Sequence, residues 1–482
     1  MSASSGAEYP SHPLSVHGPA PLAPLEHDRY GWWVREAQAG RSLSRLQRDL
    51  ACDIAIVGGG YLGLWTAWHV SELEPNAQVV LLERGRCGFG PSGRNGGFVS
   101  PYWDKVPRLA QEYGSGAAVA LGRASAAAVE AIGEWCRAND VDAWYRPAPQ
   151  IQVATSPAQA GAWLEGTRGC EELGVGDMYR SLSPEEVRAY LRSAAFDGGA
   201  AMMPAATVQP ARLCFGLRDA VVRKGVQVFE HSPAEKVRDG SVETPAATLR
   251  ARAIVLATNA DAGGFRPARS LVATASSHIV LTEPVPDVLE EIGWTGHEGV
   301  LDFRTLLHYF RTTEDGRIAF GWGGGRMGTT WWRRGVTEVD PRAAATAARA
   351  LLRFFPQLAS RTITHAWGGP IDVSSTRLPQ FRSLGNVFTG FGFTGNGVGP
   401  AYLGGQILSR MALDRRDEHT RLLLVDQDAK RFPPEPFRLA AGSAIRAAMV
   451  RRDDAEDAGS EAGPLVRVVA SVPKRLGMHL PR

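Results

Sequence analysis

Residues Asp53 to Val57 read DIAIV, a short apolar run rich in β-branched side chains, and Gly58, Gly60 and Gly63 follow it directly in the spacing G-x-G-x-x-G. The next stretch, LWTAWHVSEL, is apolar enough to form a helix covered on most sides, and Pro75 and Asn76 stop it. A second strand, VVLLE, ends on Glu83, twenty positions after Gly63. Glycines alone mark many turns. Strand, glycines, helix, strand and terminal acid in this order restrict the segment to an α/β unit that holds a dinucleotide at a helix N-terminus. In such a unit Gly58 makes the tight turn, Gly60 admits a pyrophosphate to the backbone amides, Gly63 lets helix and sheet pack closely, and Glu83 accepts hydrogen bonds from a ribose.

A second glycine cluster, CGFGPSGRNGG at residues 87–97, places five glycines in eleven residues around Arg94 and Asn95. Glycine is costly to order, so such a cluster marks either a tight crossover or a place where something approaches the backbone. The α/β theme then returns twice. VQPARLCFGLRDAVVRKGVQVFE reads as helix then strand, and RARAIVLATNA ends an apolar strand on a small-residue turn at Ala257 to Ala260. NVFTGFGFTGNGVGPAYLGGQILSRM again reads strand, glycine loop, helix. Other patterns lie between these pieces: a helix over about 115–140, short strands such as QIQVAT, a helix start at SPEEV, and alternating strands from HIVLTEPV to RIAFGWGGG. In that last region alternation puts His308, Phe310 and Thr312 on one strand face and Tyr309 and Arg311 on the other. One fold is therefore written in pieces, with a second domain threaded between them.

At 482 residues the chain can bury a large core, and its net charge of +3 gives no reason to expect a nucleic-acid partner. The five cysteines, at 52, 87, 136, 170 and 214, form neither a disulfide framework nor a metal spacing, so no metal is expected and a reducing, cytoplasmic setting is. The N-terminus lacks the basic start and apolar run of a signal peptide, and no apolar stretch is long enough to span a bilayer. The Pro/Ser-rich start to about Leu25 reads as a flexible arm, and YGWWVREA around Trp32 and Trp33 has the aromatic surface to dock on the body. Beyond Asp428, a tail carries RRDDAEDAGSEAG between two helical stretches and ends on the basic, partly amphipathic PLVRVVASVPKRLGMHLPR. The tail could bind a partner or pack along the body; membrane contact is not expected.

Together GGGYLGLWTAW, Glu83, CGFGPSGRNGGF, VLATNA, HAWGGP with Arg377 and Pro379, and GFTGNGVG resemble the FAD-dependent D-amino-acid oxidase-like superfamily, in particular its γ-glutamylputrescine oxidase branch beside glycine and sarcosine oxidases. The resemblance covers roughly residues 45–420. It implies an α/β, Rossmann-like FAD-binding domain with an inserted α+β substrate domain built on an antiparallel or mixed sheet. The implied pieces are an N-terminal arm at 1–47, FAD-binding segments at 48–140, 205–270 and 361–428, substrate-domain segments at 141–204 and 271–360, and a helical extension at 429–482.

The resemblance also implies a site. The adenosine end of FAD would meet Gly58, Gly60, Tyr61, Leu62, Gly63, Glu83 and Arg84, with Ala234, Ala257 and Thr258 beside it. The flavin end would meet Ser92, Gly93, Arg94, Asn95, Gly96 and Gly97, the glycines letting backbone lie along the ring. Gly392, Gly395, Gly397 and Val398 would approach its pyrimidine side, and Trp367 would sit in a W-G-G turn beneath it. Ala234 could equally be a plain strand end, and Trp367 a core aromatic. Tyr309 and Arg311 become candidates for the substrate cavity, Arg311 as a bidentate partner for a carboxylate; a solvated edge-strand arginine is the alternative. His278 is a candidate active-site imidazole or a buried structural histidine.

Relatives with covalent flavin use a late cysteine or a histidine in the first glycine loop. Here the last cysteine is Cys214 and the loop carries Arg94, so noncovalent FAD is implied. Sarcosine-oxidase-like enzymes also place a lysine in the central strands to assist oxygen. This chain has none between Glu243 and Asp428, which leaves oxygen or another electron acceptor open. The expected activity is oxidation of a CH–NH bond in a small amine or amino acid. A 2-hydroxy-acid oxidase or dehydrogenase and a non-catalytic nucleotide-binding regulatory protein are the alternatives.

Overall fold

The structure, a computed structural model, describes residues 26–27, 29–265, 268–329 and 337–478. The expected arm up to about Leu25 lies outside the described residues. DIAIV forms the core of the strand Leu50–Val57, in the middle of an eight-stranded sheet. Five strands of this sheet run parallel in the spatial order Gln227–Phe229, Val79–Leu82, Leu50–Val57, Thr248–Leu256 and Val387–Phe391. Short antiparallel strands flank them, Ser241–Glu243 on Thr248–Leu256 and Gln380–Leu384 on Val387–Phe391. The helix Tyr61–Leu73 is buried almost all round, as its apolar run requires, because the sheet lies on one side and the helix Val398–Ala412 packs along another. Trp65, fully buried, anchors that packing against Trp135 of the long helix Ser115–Ala138.

The second layer is a nine-stranded mixed sheet in the order Glu26–His27, Ile363–Val373, Ala273–Thr282, Ile318–Trp322, His308–Thr312, Val300–Asp302, Gln150–Val153, Gly199–Met202 and Tyr179–Leu182. Its pairings are antiparallel except at Glu26–His27 and between Val300–Asp302 and Gln150–Val153. The alternation expected around Tyr309 holds: Phe310 turns into an aromatic core with Phe320, Phe354 and Trp294, and Tyr309 faces the other way. The SPEEV start becomes a capping box, with the Glu186 N–H donating to Ser183 Oγ and the Ser183 N–H to the Glu186 carboxylate.

Two expectations need correction. HAWGGP does not turn; it runs through the strand Ile363–Val373, which hydrogen-bonds into the nine-stranded sheet and not into the FAD-type sheet to which residues 361–428 were allotted. Of the two glycines that suggest a turn, Gly368 serves cross-strand packing, since a Cβ there would stand 2.4 Å from Nδ1 of His278, while a Cβ on Gly369 would meet nothing within 4 Å. In the tail, RRDDAED belongs to the helix Phe437–Asp457, and the break comes only at Ala458–Gly463 before the helix Pro464–Arg475.

Candidate active site

The glycine motif meets the acid much as its spacing requires. Gly60 precedes the first turn of Tyr61–Leu73, and a Cβ on Gly63 would lie 1.9 Å from the Gly58 carbonyl oxygen, so no other residue lets the helix sit so close. The half-buried Glu83 carboxylate accepts the N–H of Gly59 and of Gly85, both at 2.8 Å. Burial pushes its pKa up and these two bonds oppose the shift. Each oxygen keeps a second lone pair for a hydroxyl donor. Arg84 pairs with Asp261 at the rim. Ala234, Ala257 and Thr258 line the same cavity as Gly58, Gly60, Tyr61 and Leu62. So does Asn259, which sequence reasoning passed over although it stands in VLATNA. Thr258 Oγ1 and Asn259 Oδ1 are buried on that wall with no hydrogen-bond partner among the described residues. Buried polar atoms are rarely left so, and here they fit the polar edge of a bound dinucleotide.

The second glycine cluster is held by its own side chains. Tyr61 N–H donates to Ser92 Oγ (2.9 Å), Asn95 Nδ2 donates to the carbonyls of Pro91 and Ser92, and Asn95 Oδ1 accepts from Gly97 N–H at 2.7 Å. Arg94 donates to the carbonyls of Arg29 and Gly90 and faces Glu338 at 3.6 Å, while its own carbonyl accepts from Trp367 Nε1. Ser92, Arg94, Asn95 and Gly96 line the cavity. Gly93 and Gly97 do not, and this corrects the idea that they clear space for a flat ring. A Cβ would meet the Gly88 carbonyl oxygen at 2.2 Å in the first case and that of Val208 at 2.1 Å in the second. They are glycine so that the loop can fold on the protein itself. Gly395, Gly397 and Val398 line the cavity, whereas Gly63, Gly392 and the fully buried Trp367 stand behind its wall.

The cavity, about 2120 Å³ in volume, continues from the glycine motifs to the nine-stranded sheet. Tyr309 reaches it, with its hydroxyl 2.6 Å from Ser277 Oγ. Ser277 in turn donates to the Trp322 carbonyl at 3.0 Å, so the tyrosine proton points at Ser277 and the phenol oxygen keeps its lone pairs. Burial pushes Tyr309 up to about 12, which keeps it a neutral phenol at physiological pH. Arg311 is not brought to the cavity. Its guanidinium donates to the carbonyls of Val208 and Thr312 and packs over Trp33. His278 is also off the cavity, its ring 3.3 Å from Ser276 Oγ and stacked into the space left by Gly368.

The structure supplies other cations. Lys105, Arg108 and Arg377 line the cavity together with Asp104. Among the described residues Lys105 and Arg377 have no carboxylate within ion-pair distance; Lys105 stands 4.4 Å above the Tyr102 ring. Burial lowers the pKa of both, Arg377 to about 10. Lys105 follows the glycine loop by only eight residues and is one of five lysines, a signal that sequence reasoning left unused.

The family profile for FAD dependent oxidoreductases, DAO, matches residues 53–411. γ-Glutamylputrescine oxidoreductase of Escherichia coli (strain K12) is 28% identical over 389 residues, covering 79% of this chain and 88% of the relative. Among solved structures, glycine oxidase from Geobacillus kaustophilus superposes with a TM-score of 0.62 at 18% identity, over 77% of this chain and 96% of that one. Iminodiacetate oxidase from Chelativorans sp. BNC1 gives 0.61 at 18% identity, over 78% and 100%. These two share the fold.

Proposed function

This chain belongs to the DAO family of FAD-dependent oxidoreductases, and we propose that it oxidises the CH–NH bond of a small amine or amino acid that carries a carboxylate. The observation that carries this reading is the pair of unpaired cations, Lys105 and Arg377, in the same cavity as the neutral Tyr309–Ser277 hydroxyl pair. The named activities of the similar proteins, on γ-glutamylputrescine, glycine and iminodiacetate, support it: each of those compounds combines an amine with a carboxylate. The role first given to Arg311 passes to Arg377 and Lys105.

FAD supplies a sink for a hydride from the carbon bearing nitrogen. The chain's task is to hold the donor and keep its nitrogen neutral, since an ammonium has no lone pair with which to form the C=N bond. Arg377 and Lys105 serve both needs. They attract the carboxylate, and their positive charge disfavours a nearby ammonium. The lone pairs of the Tyr309 oxygen accept an N–H and orient the amine. The donor leaves as an iminium ion, which water hydrolyses to a carbonyl compound and an alkylammonium or ammonium ion. Electrons pass on to oxygen or another acceptor. Thr258, Asn259, Glu83 and the Gly60 turn would hold the cofactor. The attachment is noncovalent in this reading, because Arg94 is engaged with Glu338 and no cysteine lines the cavity.

An anaerobic screen of amines, amino acids and 2-hydroxy acids tests the proposal, since loss of flavin absorbance reports a donor whatever the acceptor. Bleaching by amino compounds is expected; bleaching by hydroxy acids alone would overturn it. All flavin should leave the polypeptide on acid denaturation.

A further inference from the structure

We propose that the helix Phe437–Asp457 is an end wall of the donor site and that Ile445 and Met449 set the length of donor it accepts, a claim that rests on the cavity being the donor's site. This helix lies beyond residue 411, where the match to the family profile ends. Ala441, Gly442, Ile445, Arg446 and Met449 line the cavity, at spacings of one, four, five and eight from the first, which is one face of a helix.

That face closes on the nine-stranded sheet and not on the glycine motifs. Leu306, three residues before Tyr309, packs as Ile445 does against the cluster of Ala448, Met449 and Ala470. A Cβ on Gly442 would come within 2.9 Å of Met327 Cε, and Arg446 Nε donates to the carbonyls of Gly324 and Gly325 at 2.7 and 2.8 Å. The second helix, Pro464–Arg475, backs the wall through Val466, Val469 and Ala470.

The register of the wall is held by ion pairs. Arg304, on the loop that also carries Leu306, has a buried guanidinium 3.7 Å from Asp453, 3.3 Å from Asp454 and 2.7 Å from Asp457. Asp453 also accepts the Leu306 N–H at 3.0 Å. Three acids within one helical turn thus fix which side chains face inward. Those side chains include Ile445 and Met449, beside Leu306 and Met327, while Arg446 between them is turned onto the Gly324 and Gly325 carbonyls, so the part of a donor that meets the two apolar side chains is uncharged and aliphatic.

The test uses the full-length flavoprotein with Ile445→Trp and Met449→Trp, which fill the space, and Met449→Ala, which enlarges it. Straight-chain α-amino acids from a methyl to an n-hexyl side chain are compared by anaerobic flavin reduction. The matching 2-hydroxy acids are run in parallel, and unreactive alkanoic acids are followed by the perturbation of flavin absorbance. The ratio of long-chain to short-chain reduction or binding should fall at least about tenfold in the tryptophan variants, about 1.4 kcal/mol of discrimination, and rise in Met449→Ala. An equal change at every length, or none, would overturn the wall. If only hydroxy acids reduce the flavin, the amine reading falls, and the length shift within that series still decides the wall.

Discussion

Replacing Arg377 by methionine should lower activity without lowering stability. Arg377 faces the cavity, has no ion-pair partner among the described residues, and has its pKa lowered to about 10 by burial. A donor carboxylate seated there makes a charge-assisted hydrogen bond, worth about 1.5–3 kcal/mol where desolvated. Its loss corresponds to roughly a tenfold to 150-fold fall in kcat/KM. Without a bound carboxylate the same cation is a burden, because burial disfavours its charge and the nearby Asp104 offsets that only in part. Methionine has similar reach, and the left-handed backbone at this position, φ +58°, burdens both residues alike. The Tm of the flavin-loaded variant should therefore be equal to the wild type's or higher. The assay is anaerobic flavin reduction by an amino acid and by its amide, paired with thermal unfolding. Loss of rate should be confined to the acid. Equal losses for acid and amide, or a Tm several degrees lower, would refute the reasoning, since both point to a structural arginine.

Gly60→Val puts its Cβ 2.7 Å from Ser92 Oγ at the helix N-terminus, and Glu83→Lys removes the acceptor of two backbone N–H groups; each should cut the flavin-to-protein ratio at least about tenfold, a loss of about 1.4 kcal/mol in cofactor binding. Full flavin content in either variant would remove the motif assignment. Burial pushes Asp372 up to about 7 although the N–H groups of Gly392 and Thr394 favour its charged form, so between about pH 4 and 7 the fold holds a proton that the unfolded chain has released. Stability should fall as pH rises through that window, and Asp372→Asn should flatten this part of the Tm profile. For amine donors at subsaturating concentration, the rate of flavin reduction should rise with pH towards the donor's own amine pKa, about 10 for an aliphatic amine. The profile should shift between donors of different basicity; a profile identical for all of them would point to an enzyme base instead.

The α/β sheet was legible because its signals are local: strand, glycines, helix and acid lie within about thirty residues, the span of one βαβ unit. Tyr309 was legible for a similar reason, as strand alternation separates it from Phe310. Alternation also put Arg311 on the Tyr309 face, yet it could not reveal that the carbonyl of Val208 waits there to absorb the guanidinium. Lys105 and Arg377 come from segments far apart in the chain, so only the fold brings them to one wall. HAWGGP misled because its first glycine, Gly368, answers to the His278 ring on a neighbouring strand, a partner ninety positions upstream. The tail's acids resembled a solvated connector until Arg304 supplied their counter-charge.

The order in which the two sheets are threaded has a consequence for how the molecule can come apart. Strands of the eight-stranded sheet come from residues 50–57, 79–82, 227–256 and 380–391, and those of the nine-stranded sheet from 150–202, 273–322 and 363–373, with Glu26–His27 on its edge. A protease cutting between the strands that end at Leu256 and begin at Ala273 would leave each fragment with part of both sheets. Neither fragment could bury its strands alone, so the nicked protein should stay together and keep its shape until both sheets open at once. The fifth parallel strand, Val387–Phe391, is also translated last of the five. A ribosome-bound chain therefore cannot finish either layer until most of its length has emerged, and folding must wait for contacts between residues more than a hundred positions apart.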